Sequence, residues 1–138
     1  MNSKLLKLTI IYVALTLQFL FSSNTIDILY NSNSDIAGFQ FTIENVELLS
    51  ASGGASEDAG FTISTGNGIV LGFSLTGSII PAGSGVLTTI EVLGDNACIG
   101  ELIFSDPSAE NLDATVENCL TINYTFPILG CTDFSACN

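Results

Sequence analysis

Three carboxylates fall within eight residues of one polar stretch, Asp106, Glu110 and Asp113, with Asn111 between them. Ca2+ gathers about six to eight oxygen ligands from carboxylates, amides and carbonyls, so this stretch is the candidate metal site, although it lacks the EF-hand pattern. Other acids, such as Glu57-Asp58 and Asp95, sit in turn-forming stretches. Most nucleophile–base pairs and phosphate clamps need His, Lys or Arg, and no residue after Lys7 is any of these. Paired carboxylates could still support glycoside hydrolysis, but no pocket is deducible for them. The chain is therefore expected to bind and not to catalyse.

The four cysteines, Cys98, Cys119, Cys131 and Cys137, all lie in the last third. Behind a targeting segment they read as disulfides, with Cys98–Cys119 favoured and Cys131–Cys137 separate among the three possible pairings. Zinc is the alternative, without a Cys-x-x-Cys or a histidine to support it. For sugar stacking there is no Trp, and Tyr30 and Tyr124 alternate with the apolar positions of their strands, which suits core or rim better than a platform. A sugar site of hydroxyls, amides and Ca2+ stays open. Asn123-Tyr124-Thr125 also fits a glycosylation sequon.

The elements that must position these residues begin with a leader. Lys4 and Lys7 precede the apolar run from Leu8 to Phe21, followed by the small residues Ser22 and Ser23. This is the pattern of a signal-peptide helix, assigned to residues 1–23, and the run is short of the roughly 20 residues that span a bilayer. Its removal takes the formal charge from −12 to −14. The expected product is a secreted or cell-surface protein with no stable membrane span and no nucleic-acid partner, because such a field repels polyanions.

Residues 24–126 read as one β-domain. Ile26, Ile28 and Tyr30 alternate with Thr25, Asp27 and Leu29, and Phe39, Phe41 and Ile43 alternate with Gly38, Gln40 and Thr42. Val46–Ser50, Phe61–Ile63, Val86–Leu93, Ile99–Phe104 and Leu112–Val116 read as further strands, and Leu120, Ile122, Tyr124 and Phe126 as the last. Thr65-Gly66-Asn67-Gly68 is a hairpin signal. Ile69, Leu71, Phe73 and Leu75 share one face of another strand, opposite a slim face of Gly72 and Ser74 that suits close approach by another backbone. Ala51 to Asp58 is a flexible loop or one short helical turn, and Ile79–Gly85 a connection. No helical period is sustained, so an all-β antiparallel sandwich of about eight or nine strands is expected. Gln40, Thr42 and Ser74 are candidates for a polar outer face that a protein partner could cover.

Two of these stretches resemble the cohesin-like family of secreted bacterial modules. Ile36-Ala37-Gly38-Phe39-Gln40-Phe41-Thr42-Ile43 looks like its aromatic-rich early strand, and Gly85-Val86-Leu87-Thr88-Thr89-Ile90-Glu91-Val92 like its late glycine-valine-leucine strand. The resemblance implies a jelly-roll sandwich related to certain cellulose-binding modules, and a scaffold role in holding dockerin modules through one sheet face. Polysaccharide binding, Ca-assisted, is the alternative it suggests. Where the family runs into a Tyr-Asp-Pro-like turn, this chain has Glu44-Asn45-Val46. Residues 127–138, a Cys/Asp-rich tail, resemble the opening of a thrombospondin type 3-like repeat, a Ca2+-binding unit.

Overall fold

A computed structural model describes residues 2–20 and 22–125. Cys131, Cys137 and the Cys/Asp-rich tail lie outside the described residues. A helix α1 (Ser3–Leu20) precedes the β-domain, and no described helix is long and apolar enough to cross a membrane.

Ten strands follow among the described residues: β1 (Ser23–Ser32), β2 (Gly38–Glu44), β3 (Glu47–Ser52), β4 (Thr62–Gly66), β5 (Ile69–Phe73), β6 (Gly83–Leu93), β7 (Cys98–Ser105), β8 (Asn111–Leu112), β9 (Thr115–Glu117) and β10 (Thr121–Tyr124). They form two five-stranded sheets, β3-β6-β1-β10-β9 (the first sheet) and β4-β5-β2-β7-β8 (the second sheet). The all-β sandwich with an N-terminal helix is thus as the alternating pattern predicts. One pairing departs from an antiparallel design: β1 and β10 run parallel, from Leu29↔Thr121 to Ser32↔Tyr124. Period two shows which face of a strand is buried but not which strand lies beside it, so this neighbour was not legible.

The core is one apolar cluster fed by both sheets. Phe39, Phe41 and Ile43 enter it from β2, Ile28 and Tyr30 from β1, Leu87, Ile90 and Val92 from β6, and Phe104 from β7. Phe39 is the hub of its aromatic part, with ring centroids 5.9 Å from Phe41, 6.2 Å from Phe61 and 6.1 Å from Phe104. Such offset aromatic packing adds about 0.5–1.5 kcal/mol per pair beyond area burial.

Two expectations need correction. The face of β5 that carries Ile69, Leu71 and Phe73 is the outer one, whereas Val70 and Gly72 face the core. Leu75 lies beyond the strand and is 83% exposed. The reason is steric. Gly72 pairs with Phe39, and a Cβ at position 72 would fall within 2.8 Å of Phe39 Cε2 and closer still to Cε1 and Cζ. The slim face therefore receives an aromatic ring, not another backbone. The second correction concerns Gly83–Gly85, which belong to β6 and pair with Tyr30, Asn31 and Ser32.

Of the predicted loop, Ala51 and Ser52 belong to β3, and α2 (Gly54–Asp58) is a single helical turn. Glu57 Oε2 accepts the Gly53 N–H at 2.6 Å, and the buried Ser56 hydroxyl donates to the Leu87 carbonyl at 2.6 Å. Gly54 has φ +70 and sits where a Cβ would strike the Leu87 carbonyl. The Asn67-Gly68 turn joins β4 to β5 with φ of 52 and 75, the left-handed pair that a two-residue hairpin requires.

Candidate functional site

The second sheet turns one face away from the core, and apolar side chains flank its centre. On β2, Gly38, Gln40 and Thr42 alternate outward between the buried Phe39, Phe41 and Ile43. Gln40 is flanked in register by Leu71 of β5 and Ile103 of β7. Leu71 is 38% and Ile103 48% exposed, and Ile69 and Phe73 extend the apolar strip along β5. Leu71 and Ile103 stand on β5 and β7 with Gln40 of β2 between them, and exposed apolar residues set together on one sheet face make it a candidate interaction surface.

A bulge bounds this strip. Thr42 stands opposite the two residues Gly100 and Glu101, because the β2–β7 register shifts between Phe41 and Ile43. The Glu101 N–H donates to Thr42 Oγ1 at 2.8 Å, which supplies a partner for a backbone group that the bulge removes from the ladder. Side chains of Thr42 and Glu44 lie over Gly100, where a Cβ would come within 2.7 Å of Glu44 Cδ. The apolar strip therefore ends on an acidic rim, with Glu44 and Glu101 both exposed.

Of the three sequence-predicted face residues, Gln40 and Thr42 share this surface and Ser74 does not. Ser74 follows β5, and its hydroxyl accepts the N–H groups of Thr76 at 3.2 Å and Ser78 at 2.9 Å. It shapes a loop. Leu71 and Ile103 are the face residues that sequence reasoning missed. Leu71 turns outward because its neighbour Gly72 faces the Phe39 ring, a pairing that the sequence of β5 alone does not show.

The outer face of the first sheet also exposes Leu29, at 41%, and Leu49 of β3 is exposed to the same extent. Three of this sheet's acids are engaged by neighbours, Glu91 accepting from Ser23 at 2.7 Å and Ser50 at 3.2 Å, Asp27 from Thr89 at 2.8 Å, and Glu117 from Asn123 at 3.0 Å, while Glu47 of β3 is exposed. Asn123, the sequon asparagine, is half-buried mid-strand in this network.

At one end of the sandwich, where β8 and β10 approach the loop after β1, lies a cleft of about 600 Å3. It is lined by Ser34, Asp106, Glu110, Asn111, Leu112, Asp113, Tyr124 and Thr125, so the three predicted metal ligands and their asparagine meet at one place. They do not form a ligand set: among the described residues no three such side chains gather as a metal-holding group. Asp106 shows why. Its Oδ1 accepts the N–H groups of Ser108 at 2.8 Å and Glu110 at 2.9 Å, which commits the carboxylate to its own loop. Tyr30 is buried, as the strand pattern predicts, whereas Tyr124 is half-buried and reaches the cleft.

Cys98 and Cys119 are bonded, with Cα atoms 4.4 Å apart, as the favoured pairing expects. The bridge joins β7 of the second sheet to the β9–β10 turn of the first. The zinc alternative for these two cysteines is thereby overturned. Compared with protein-family models and with curated proteins, the chain matches none.

Proposed function

We propose that this chain is a non-catalytic adhesion or scaffold module, exported from the cell, that binds a protein partner through the outer face of the second sheet. The observation that carries this reading is the apolar strip of Leu71 and Ile103 on either side of Gln40, exposed on a sheet whose other face is fully used by the core. Burial of such residues drives association at about 25 cal/mol per Å2, and a flat sheet face suits a helix or a second sheet. The cohesin-like resemblance makes a dockerin-type module the first partner to offer. The absence of His, Lys and Arg after Lys7 supports a role without chemistry.

The test compares wild type with a Leu71→Ser/Ile103→Ser variant, each immobilised and offered dockerin-type modules. Retention by wild type and loss by the folded variant is the expected result. Equal retention by both, or by neither, counts against this face.

A second reading, polysaccharide binding, is favoured by one observation: Tyr124 lines a cleft otherwise furnished with carboxylates, an amide and hydroxyls. These are groups that accept sugar hydroxyls, and a tyrosine can carry a sugar's apolar face. Retention on insoluble polysaccharide, reversed by soluble sugar and lost in Tyr124→Ala, is its signature.

A further inference from the structure

We propose that the partner of the second-sheet face carries an apolar ridge framed by lysine or arginine. This inference rests on the docking face proposed above and concerns the chemistry of what sits there. The strip of Ile69, Leu71, Phe73 and Ile103 gives the partner its apolar part. Its acidic rim gives the charged part. Glu44 and Glu101 are exposed where the strip ends, and after Lys7 the chain has no cation that could pair with either.

Both sheets expose apolar side chains, Leu29 and Leu49 on strands of the first, and the difference lies in the acids beside them. On the first sheet, Asp27, Glu91 and Glu117 all accept hydrogen bonds from hydroxyl or amide side chains of neighbouring strands. Glu44 and Glu101 border an apolar surface instead. Carboxylates beside a surface that will be desolvated favour a cationic rim on the partner, because their interaction strengthens as water leaves. A second copy of this chain would bring the same carboxylates and the same net negative charge, so self-association is opposed by the field that steers a basic partner in.

The experiment uses the full chain and two helical peptides as probes, one with a leucine face flanked by lysines and one with the lysines replaced by glutamates. Binding is titrated at about 0.01 M and about 0.15 M ionic strength, where the Debye length falls from roughly 30 to 8 Å. The lysine peptide should bind and weaken with salt. Glu44→Gln/Glu101→Gln should weaken it by about tenfold, and Leu71→Ser/Ile103→Ser should abolish it. Equal binding of both peptides, still lost in Leu71→Ser/Ile103→Ser, overturns the basic partner while the docking face stands. Lysine-peptide binding that survives Leu71→Ser/Ile103→Ser overturns both, since it reports attraction to acids elsewhere. Failure of the lysine peptide to bind, or a dimer in sedimentation that Leu71→Ser/Ile103→Ser dissolves, also overturns the basic partner.

Discussion

Gly72 gives the sharpest test of the packing. A methyl group there would enter the space of the Phe39 ring, with three ring carbons inside 3.0 Å. A ring tip can often swing aside, but this one is 2% exposed and wedged against Phe41, Phe61 and Phe104. Moving it forces an off-rotamer χ, at about 0.5–1.5 kcal/mol, or parts the sheets, and overpacking of this kind costs about 1–3 kcal/mol. The aromatic pairs lost in the process add to that, while removal of a strand glycine returns about 0.5–1 kcal/mol. Gly72→Ala should therefore destabilise by about 2–3 kcal/mol. Urea denaturation followed by far-ultraviolet circular dichroism measures this without relying on tryptophan, which the chain lacks. The decisive comparison is a double-mutant cycle. Phe39→Ala alone should cost about 3–5 kcal/mol, and in that background Gly72→Ala should cost nothing, because its obstacle is gone. If Gly72→Ala is as harmful without the ring as with it, the steric argument is refuted.

Phe41→Ala, at a fully buried position, should lose about 3–5 kcal/mol, and a change within about 0.5 kcal/mol would mean the sheet is inside out. Replacing Cys98 and Cys119 together by serine should cost about 3 kcal/mol in the loop-closure picture, read as a fall in denaturation midpoint; an unchanged midpoint would leave the bridge without a structural role. Ile103→Ser should stay within about 0.5 kcal/mol of wild type, because the side chain is half in water already, and a large loss would show that it packs instead of waiting for a partner. Raising salt from about 0.01 to 0.15 M should raise the melting temperature by screening an uncompensated negative charge; a fall would contradict the reading of the acids as mutually repelling.

Much of the architecture could be read from alternation alone. Phe39, Phe41 and Ile43 are buried on one side of β2, and Ile28 and Tyr30 on one side of β1, because a strand offers only two faces. At β5 the alternation also holds, with Ile69, Leu71 and Phe73 on one face, but it does not say which face turns inward. The ring of Phe39 decides the matter from the neighbouring strand, and a single strand's pattern contains no trace of its neighbour. The proposed ligands of the metal site suffered in another way. Their closeness in sequence does bring Asp106, Glu110 and Asp113 to one cleft, but the hydrogen bonds that occupy Asp106 depend on how its loop closes. Charge was legible and its disposition was not: the engaged Asp27, Glu91 and Glu117 and the bare Glu44 and Glu101 are the same residue types.

The parallel pairing of β1 and β10 bears on how the module responds to force. These strands lie nearest the two ends of the β-domain, side by side and pointing the same way. Tension applied before Ser23 and after Tyr124 would slide one past the other along their length. The ladder from Leu29↔Thr121 to Ser32↔Tyr124 is then loaded in shear, so its hydrogen bonds resist together instead of opening one by one like a zip. Stretching with handles at those two points should give one cooperative high-force rupture, and a gradual low-force peel would contradict the geometry. A module that tethers a partner outside a cell would, on this arrangement, be strongest along the line on which its chain is pulled.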